Sequence, residues 1–258
     1  MPPHRKINPW TLTKHNMKKQ LSTIALAATA VFAATASVQA GEVTAGPAVA
    51  PSNASGPWSF SAEALYLKSH VSGAAALLGG GGGNFPDQDN EFGYRLALGY
   101  KAGDNLGLRF RFFDYESSAL APGVELGIKS YDLEAFDSFT LGGWNGEFSF
   151  GLRYLDASLG SQATVDGIGP VVGFELTRPL SGPLSVYAGG RTGLIFGDVS
   201  GVIDDSQTPI AELSLGLQYD FSVANTAAFV RVGIDAQNYE SLADAGLFGG
   251  AVKVGFSF

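Results

Sequence analysis

The chain predicts an all-β protein: a closed antiparallel transmembrane β-barrel of about 10 strands, with 8 or 12 as the alternatives once strand boundaries slip by two to four residues. Three observations predict it. After Trp58, apolar and polar residues alternate with period 2 in recurring blocks, and no segment carries a convincing 3.6-residue period. The connections between blocks alternate between short and long. The polar face of the blocks is charged and glycine-rich, while the apolar face turns aromatic near the block ends.

Five blocks alternate cleanly. Phe92, Tyr94, Leu96, Leu98 and Tyr100 share one face, opposite Glu91, Arg95 and Lys101. Leu106, Leu108, Phe110 and Phe112 oppose Arg109 and Arg111. Phe148, Phe150, Leu152 and Tyr154 oppose Glu147 and Arg153. Leu213, Leu215, Leu217, Tyr219 and Phe221 oppose Glu212 and Asp220, and Val252, Val254, Phe256 and Phe258 oppose Lys253. Weaker alternation over 58–68, 128–141, 168–178, 184–196 and 227–238 completes ten expected strands. Asp137 interrupts the apolar face between Ala135 and Phe139, where a bulge would turn it inward.

The expected short connections are 102–104, 142–146, 180–183 and 222–226; the expected long ones are 69–90, 115–127, 157–167, 197–209 and 239–246. Short turns at one end and long loops at the other match barrels of the outer membrane, whose short turns face the periplasm. A bilayer core offers no hydrogen-bond partners, so a sheet crosses it only when closed.

Composition excludes other classes. The 258 residues contain no cysteine, which removes disulfide scaffolds, thiolate metal sites and cysteine nucleophiles. A formal net charge of −8 argues against nucleic acid as a partner. The 35 glycines follow no collagen period.

Charge is unevenly placed. Residues 1–40 hold Arg5, Lys6, Lys14, Lys18 and Lys19 and no acid. From Met17 the pattern is an export signal: Lys18 and Lys19, an apolar run over 21–36, and a small-x-small site for cleavage between Ala40 and Gly41. The run is too short and too broken by Ser and Thr for a membrane helix. Residues 1–16 then read as a gene-model extension, 17–40 as the signal peptide, 41–57 as a Pro-, Ala- and Ser-containing linker, and 58–258 as the barrel. Localisation in the bacterial outer membrane after Sec-dependent export follows as an expectation, with lipid, lipopolysaccharide and the barrel-assembly machinery as partners.

The polar face is the candidate site. It carries the bases Arg95, Lys101, Arg109, Arg111, Arg153, Arg191, Arg231 and Lys253 and the acids Glu63, Asp132, Glu134, Glu147, Glu175, Glu212, Asp220 and Asp235. In a soluble sandwich these would face water. The aromatic residues Trp58, Tyr66, Tyr100, Tyr154, Tyr219 and Phe258 on the other face, read as interfacial girdles, tip the reading to lipid outside and charge inside. An arginine facing lipid at the midplane costs about 2–4 kcal/mol, so the four arginines 95, 109, 111 and 153 are expected inside, near Glu63, Glu134, Glu147 and Glu175. The terminal Phe256-Ser257-Phe258 resembles the assembly signal of such barrels.

The segments Phe60-Ser-Ala-Glu-Ala-Leu-Tyr-Leu-Lys68, Gly93-Tyr-Arg-Leu-Ala-Leu-Gly-Tyr100, Gly151-Leu-Arg-Tyr154, 167–175 and Val254-Gly-Phe-Ser-Phe258 share their order and spacing with a known group. Through them the stretch 58–258 resembles the pore-forming outer-membrane proteins typified by the Legionella major outer-membrane protein. It implies an integral barrel with pore activity and supplies no catalytic residues. The absence of cysteine and the small barrel depart from that family.

Catalysis and cofactors are not expected. His70, the one histidine after the signal, lies near Ser72, Asp87, Asp89 and Glu91 without forming a motif; an Asp/His pair would resemble the omptin proteases. Gly79–Gly83 lacks the Lys-Ser/Thr of a phosphate loop and reads as a loop tip. Asp87-Gln-Asp-Asn-Glu91 lacks the Gly and distal Glu of a calcium loop, so no metal is assigned. Twelve acids, Asp87, Asp89, Glu91, Glu116, Glu125, Asp156, Asp166, Asp198, Asp204, Asp205, Glu240 and Asp244, are expected at the long-loop end, against Lys68 and Lys129. They offer carboxylates to divalent cations that bridge to lipopolysaccharide. They also set the expected function, a narrow, passive, cation-preferring pore for ions and small solutes. The alternative is a structural or adhesive barrel with a closed, ion-paired lumen.

Overall fold

The computed structural model describes residues 56–71, 89–101, 106–117, 125–160, 163–200, 203–223, 226–240 and 245–258. The expected extension and signal, the Ala40–Gly41 cleavage site, the linker up to residue 55, Gly79–Gly83 and Asp87 lie outside them. The described residues form ten strands: β1 (Trp58–Val71), β2 (Asn90–Tyr100), β3 (Gly107–Glu116), β4 (Leu126–Leu141), β5 (Trp144–Leu159), β6 (Ala163–Ser181), β7 (Leu184–Ser200), β8 (Ile203–Val223), β9 (Thr226–Tyr239) and β10 (Ala245–Ser257). Each pairs antiparallel with its sequence neighbours, and β1 pairs with β10, so the sheet closes as an up-and-down barrel. Closure leaves no sheet edge to aggregate. At the seam the backbones of Trp58 and Phe258 exchange both hydrogen bonds, at 3.0 and 2.9 Å.

The tightest turn shows how sequence fixes the register. Gly142 and Gly143 join β4 to β5 with φ of 57° and 79°. Two successive left-handed residues make the turn whose twist matches paired strands, and only glycine adopts both without strain. The β4–β5 ladder then runs without interruption from Leu141↔Trp144 to Leu126↔Leu159. The bulge considered at Asp137 is therefore absent. Asp137 stays on the outward parity at the short-turn end, where Lys101 Nζ reaches its carboxylate at 3.4 Å. Proximity to the polar membrane boundary and a charge partner make that outward position tolerable.

The strands outrun the expected blocks at the long-connection end. β5 continues from Tyr154 to Leu159, and the expected loop 157–167 shrinks to the residues between β5 and β6. The expected loop 197–209 is likewise almost entirely strand. Alternation persists there, but with its sense reversed. Up to Tyr154 the apolar residues of β5 face out; beyond it Leu155, Ala157 and Leu159 are buried inside and Asp156 faces out.

Candidate functional site

The barrel wall has two zones. In the short-turn half the outer face is apolar, with Leu96, Leu98, Leu133, Phe150, Leu152, Leu215, Val232 and Val252 exposed. Aromatic rows bound this belt. On the short-turn side Trp58 packs edge-on against Tyr100, ring centroids 4.8 Å apart, and Arg178 lies 5.4 Å over Trp144. On the other side Tyr66 meets Phe92 at 4.8 Å, and Tyr94, Phe112, Tyr131 and Tyr154 follow at 5.7, 5.0 and 6.2 Å. Along β5, Trp144 and Tyr154 are ten residues apart. At ~3.3 Å per residue and a tilt of ~40° that is about 25 Å of height, the thickness of a lipid-facing band. The upper row sits in mid-strand, not at strand ends as expected, because the strands continue above it.

Inside the belt lies an ionic network. Arg153, 2% exposed, grips Asp132 with Nε at 2.6 Å and Nη2 at 2.8 Å, and its Nη1 reaches Glu212. Arg191 bridges Asp132, at 2.7 Å, and Glu134. Arg109 joins Glu134, at 3.0 and 3.1 Å, to Glu147 at 2.5 Å. Arg95 binds Glu63 at 2.7 Å and Asp235 at 3.4 Å, and Arg231 binds Glu175 at 2.7 Å and Gln218 at 2.6 Å. Buried charges persist only when paired and hydrogen-bonded, and the planar guanidinium fork satisfies two carboxylates at once. Of the sixteen charged positions assigned to the polar face, Lys101 alone bonds at the rim to Asp137, and Asp220 bonds Gln218 near the short-turn end.

Aromatic rings floor the network. Arg109 stacks over Phe136 at 5.0 Å, and Arg231 over Tyr187 at 4.7 Å and Phe229 at 4.8 Å. Above it the inward residues become a dry core: Leu65, Leu67, Phe113, Leu126, Ile128, Leu155, Ile195, Ile210 and Leu247, each no more than 4% exposed. Tyr239 joins this roof to the network, donating to Gln237 at 2.9 Å, which in turn donates to Asp235 at 2.8 Å. Between roof and floor lies a cavity of about 50 Å³, lined by Arg95, Arg111, Glu175, Arg191, Glu212 and Lys253 among others.

Sequence reasoning missed the roof, the aromatic floor and the amides Gln218 and Gln237. The roof had a signal: adjacent apolar residues such as Phe112-Phe113 and Tyr154-Leu155 mark where alternation changes sense. The expected acidic mouth is corrected. Asp156, Asp166 and Asp198 sit on strands β5, β6 and β7 with exposed side chains on the outer wall, and Glu116 does the same on β3. Their parity follows the lipid-facing residues below them, so they line no opening. Lys129, counted against them at the rim, bonds Glu116 at 3.1 Å on that same outer wall. Asp204 and Asp205 fall within β8, and Glu91 within β2. Asp244 lies outside the described residues. His70 faces out from β1 opposite Gly246. Among the described residues no cluster of three or more His, Asp or Glu side chains is arranged to hold a metal ion.

No protein-family model matches the chain, and no curated protein matches it. Solved barrels are similar in fold. The Neisserial surface protein A is 16% identical, with a TM-score of 0.40 over 78% of this chain and 97% of that one. The translocator domain of the autotransporter NalP from Neisseria meningitidis is 13% identical, with a TM-score of 0.42 over 93% and 98%. A Pseudomonas aeruginosa FadL homologue is 8% identical, with a TM-score of 0.34 over 77% and 88%. The functional reading rests on the geometry of this barrel alone.

Proposed function

We infer that the chain is an integral outer-membrane β-barrel with a closed lumen, a structural or adhesive scaffold that raises its long-connection end above the lipid. One observation carries this reading: the interior is filled at two levels, by ion pairs at the height of the apolar belt and by an apolar roof above. Conduction needs a continuous polar path. An ion entering the roof would lose its hydration without gaining a partner. The reversed polarity above the belt suits the same role, because an apolar interior and polar exterior let a strand wall stand in water.

The proposed role is non-enzymatic. Export from Met17 and insertion through the barrel-assembly machinery, with Phe256 facing out on β10 and Phe258 exposed just beyond it as the signal, belong to this reading, as does a surrounding of lipid and lipopolysaccharide. The competing reading is the narrow cation-preferring pore implied by the Legionella-type resemblance, which requires the roof to part. Planar bilayers decide between them. Folded protein that gives no conductance step above the lipid baseline supports the closed scaffold. Reproducible discrete steps overturn it, and a reversal potential across a KCl gradient then reports the ion preference.

A further inference from the structure

We propose that the lumen cavity is an anion site, in which Arg111 and Lys253 hold one small inorganic anion of halide size. The inference starts from the pairing pattern. Each carboxylate of the network already bonds a base other than these two. Arg111 stands directly across the ladder from Asp132, yet both oxygens of Asp132 bind Arg153 and Arg191. Lys253 stands between Glu63 and Arg231 on its two neighbouring strands. Glu63 binds Arg95 at 2.7 Å, and Arg231 is a like charge. Among the described residues, Arg111 and Lys253 make no ion pair or hydrogen bond, while Arg95, Arg109, Arg153, Arg191 and Arg231 all do.

Both free bases face the same space. Arg111 and Lys253 line the cavity of about 50 Å³, and its wall carries six bases against five acids. That volume takes roughly three or four waters, or a halide with its remaining hydration. Arg111 and Lys253 are half-buried in the wall of this cavity. A cation partly withdrawn from water without a counter-charge is costly, and a mobile counter-ion in the cavity lowers that cost. The apolar roof closes the cavity toward the long-connection end, so the ion would be held beneath it as part of the fold rather than passed through.

Two measurements on the folded full-length barrel test the site. Crystals equilibrated with sodium bromide should give an anomalous peak in the cavity between Arg111 and Lys253. The urea midpoint should be higher in sodium chloride than in sodium gluconate of equal concentration, because a ligand that binds only the folded state stabilises it. Arg111→Met and Lys253→Met should abolish the difference between the two salts. The wild-type readings stand even if a variant fails to fold. Water density alone at molar bromide overturns the proposal. A bromide peak with identical midpoints in the two salts marks an adventitious ion only and overturns it as well. Neither result depends on whether the barrel conducts, so failure here is separable from failure of the closed-scaffold reading.

Discussion

Arg153 shows how a single residue is specified. Its parity on β5 puts it inside, and its neighbour across the β4 ladder is Asp132, so the first ion pair follows from local register. Its second partner, Glu212, lies 59 residues away, and only barrel closure brings the two together. Arg153→Met should cost about 3–5 kcal/mol, because it strands buried carboxylates. Urea unfolding followed by tryptophan fluorescence measures this; a change under about 0.5 kcal/mol would mean that the network is not structural. Gly151 is specified by close approach instead. A Cβ there would lie 2.1 Å from the Leu133 carbonyl oxygen and 2.7 Å from the Glu134 Cα, both backbone atoms that cannot yield cheaply. Gly151→Ala should therefore lower the folded fraction, read as a loss of the heat-modifiable band on a gel.

At the scale of an element, β5 carries both zones of the wall in one strand. Leu152 faces out at the level of the belt, Leu155 is fully buried in the roof, and Asp156 faces out above the aromatic row. Three substitutions on adjacent turns of the pleat should then differ sharply. Leu152→Arg should cost about 2–4 kcal/mol, the penalty for a lipid-facing arginine. Leu155→Ala should cost about 2–5 kcal/mol, the penalty for a core cavity. Asp156→Ala should stay within about 0.5 kcal/mol. Equilibrium unfolding of the three in the same lipid tests the zoning. An Asp156→Ala variant as damaging as Leu155→Ala would place the boundary at the wrong height.

For the whole molecule, the belt fixes the depth at which the barrel sits. Trp58 and Trp144 both lie in the short-turn row, and the third tryptophan, Trp10, precedes the expected cleavage site. Lipids brominated near the headgroup should quench the mature protein's fluorescence more than lipids brominated at the chain ends. Stronger quenching by the deep label would shift the bilayer by half a barrel height. Water-soluble quencher should reach these residues from the short-turn side alone when the barrel is inserted in one direction.

The sequence by itself determined a closed antiparallel barrel of about ten strands, with 8 or 12 left as alternatives, and the structure has ten. Period-2 alternation and short glycine turns act over a few residues, so they are legible in a single chain. It also displayed the aromatic rows, since each residue's face follows from its parity. What it concealed was the upper half of the barrel. There Leu155, Ala157 and Leu159 still alternate, but a template of apolar-outward strands reads the reversed sense as loop. Whether an apolar residue faces lipid or a dry core depends on how high it stands relative to the bilayer, a property of the assembled barrel. The tertiary structure alone also decided the pairing inside. Asp132 and Glu134 are each shared between two arginines and Glu212 among three, and Arg111 and Lys253 are left facing a cavity, because closure converges side chains from strands distant in sequence on one axis.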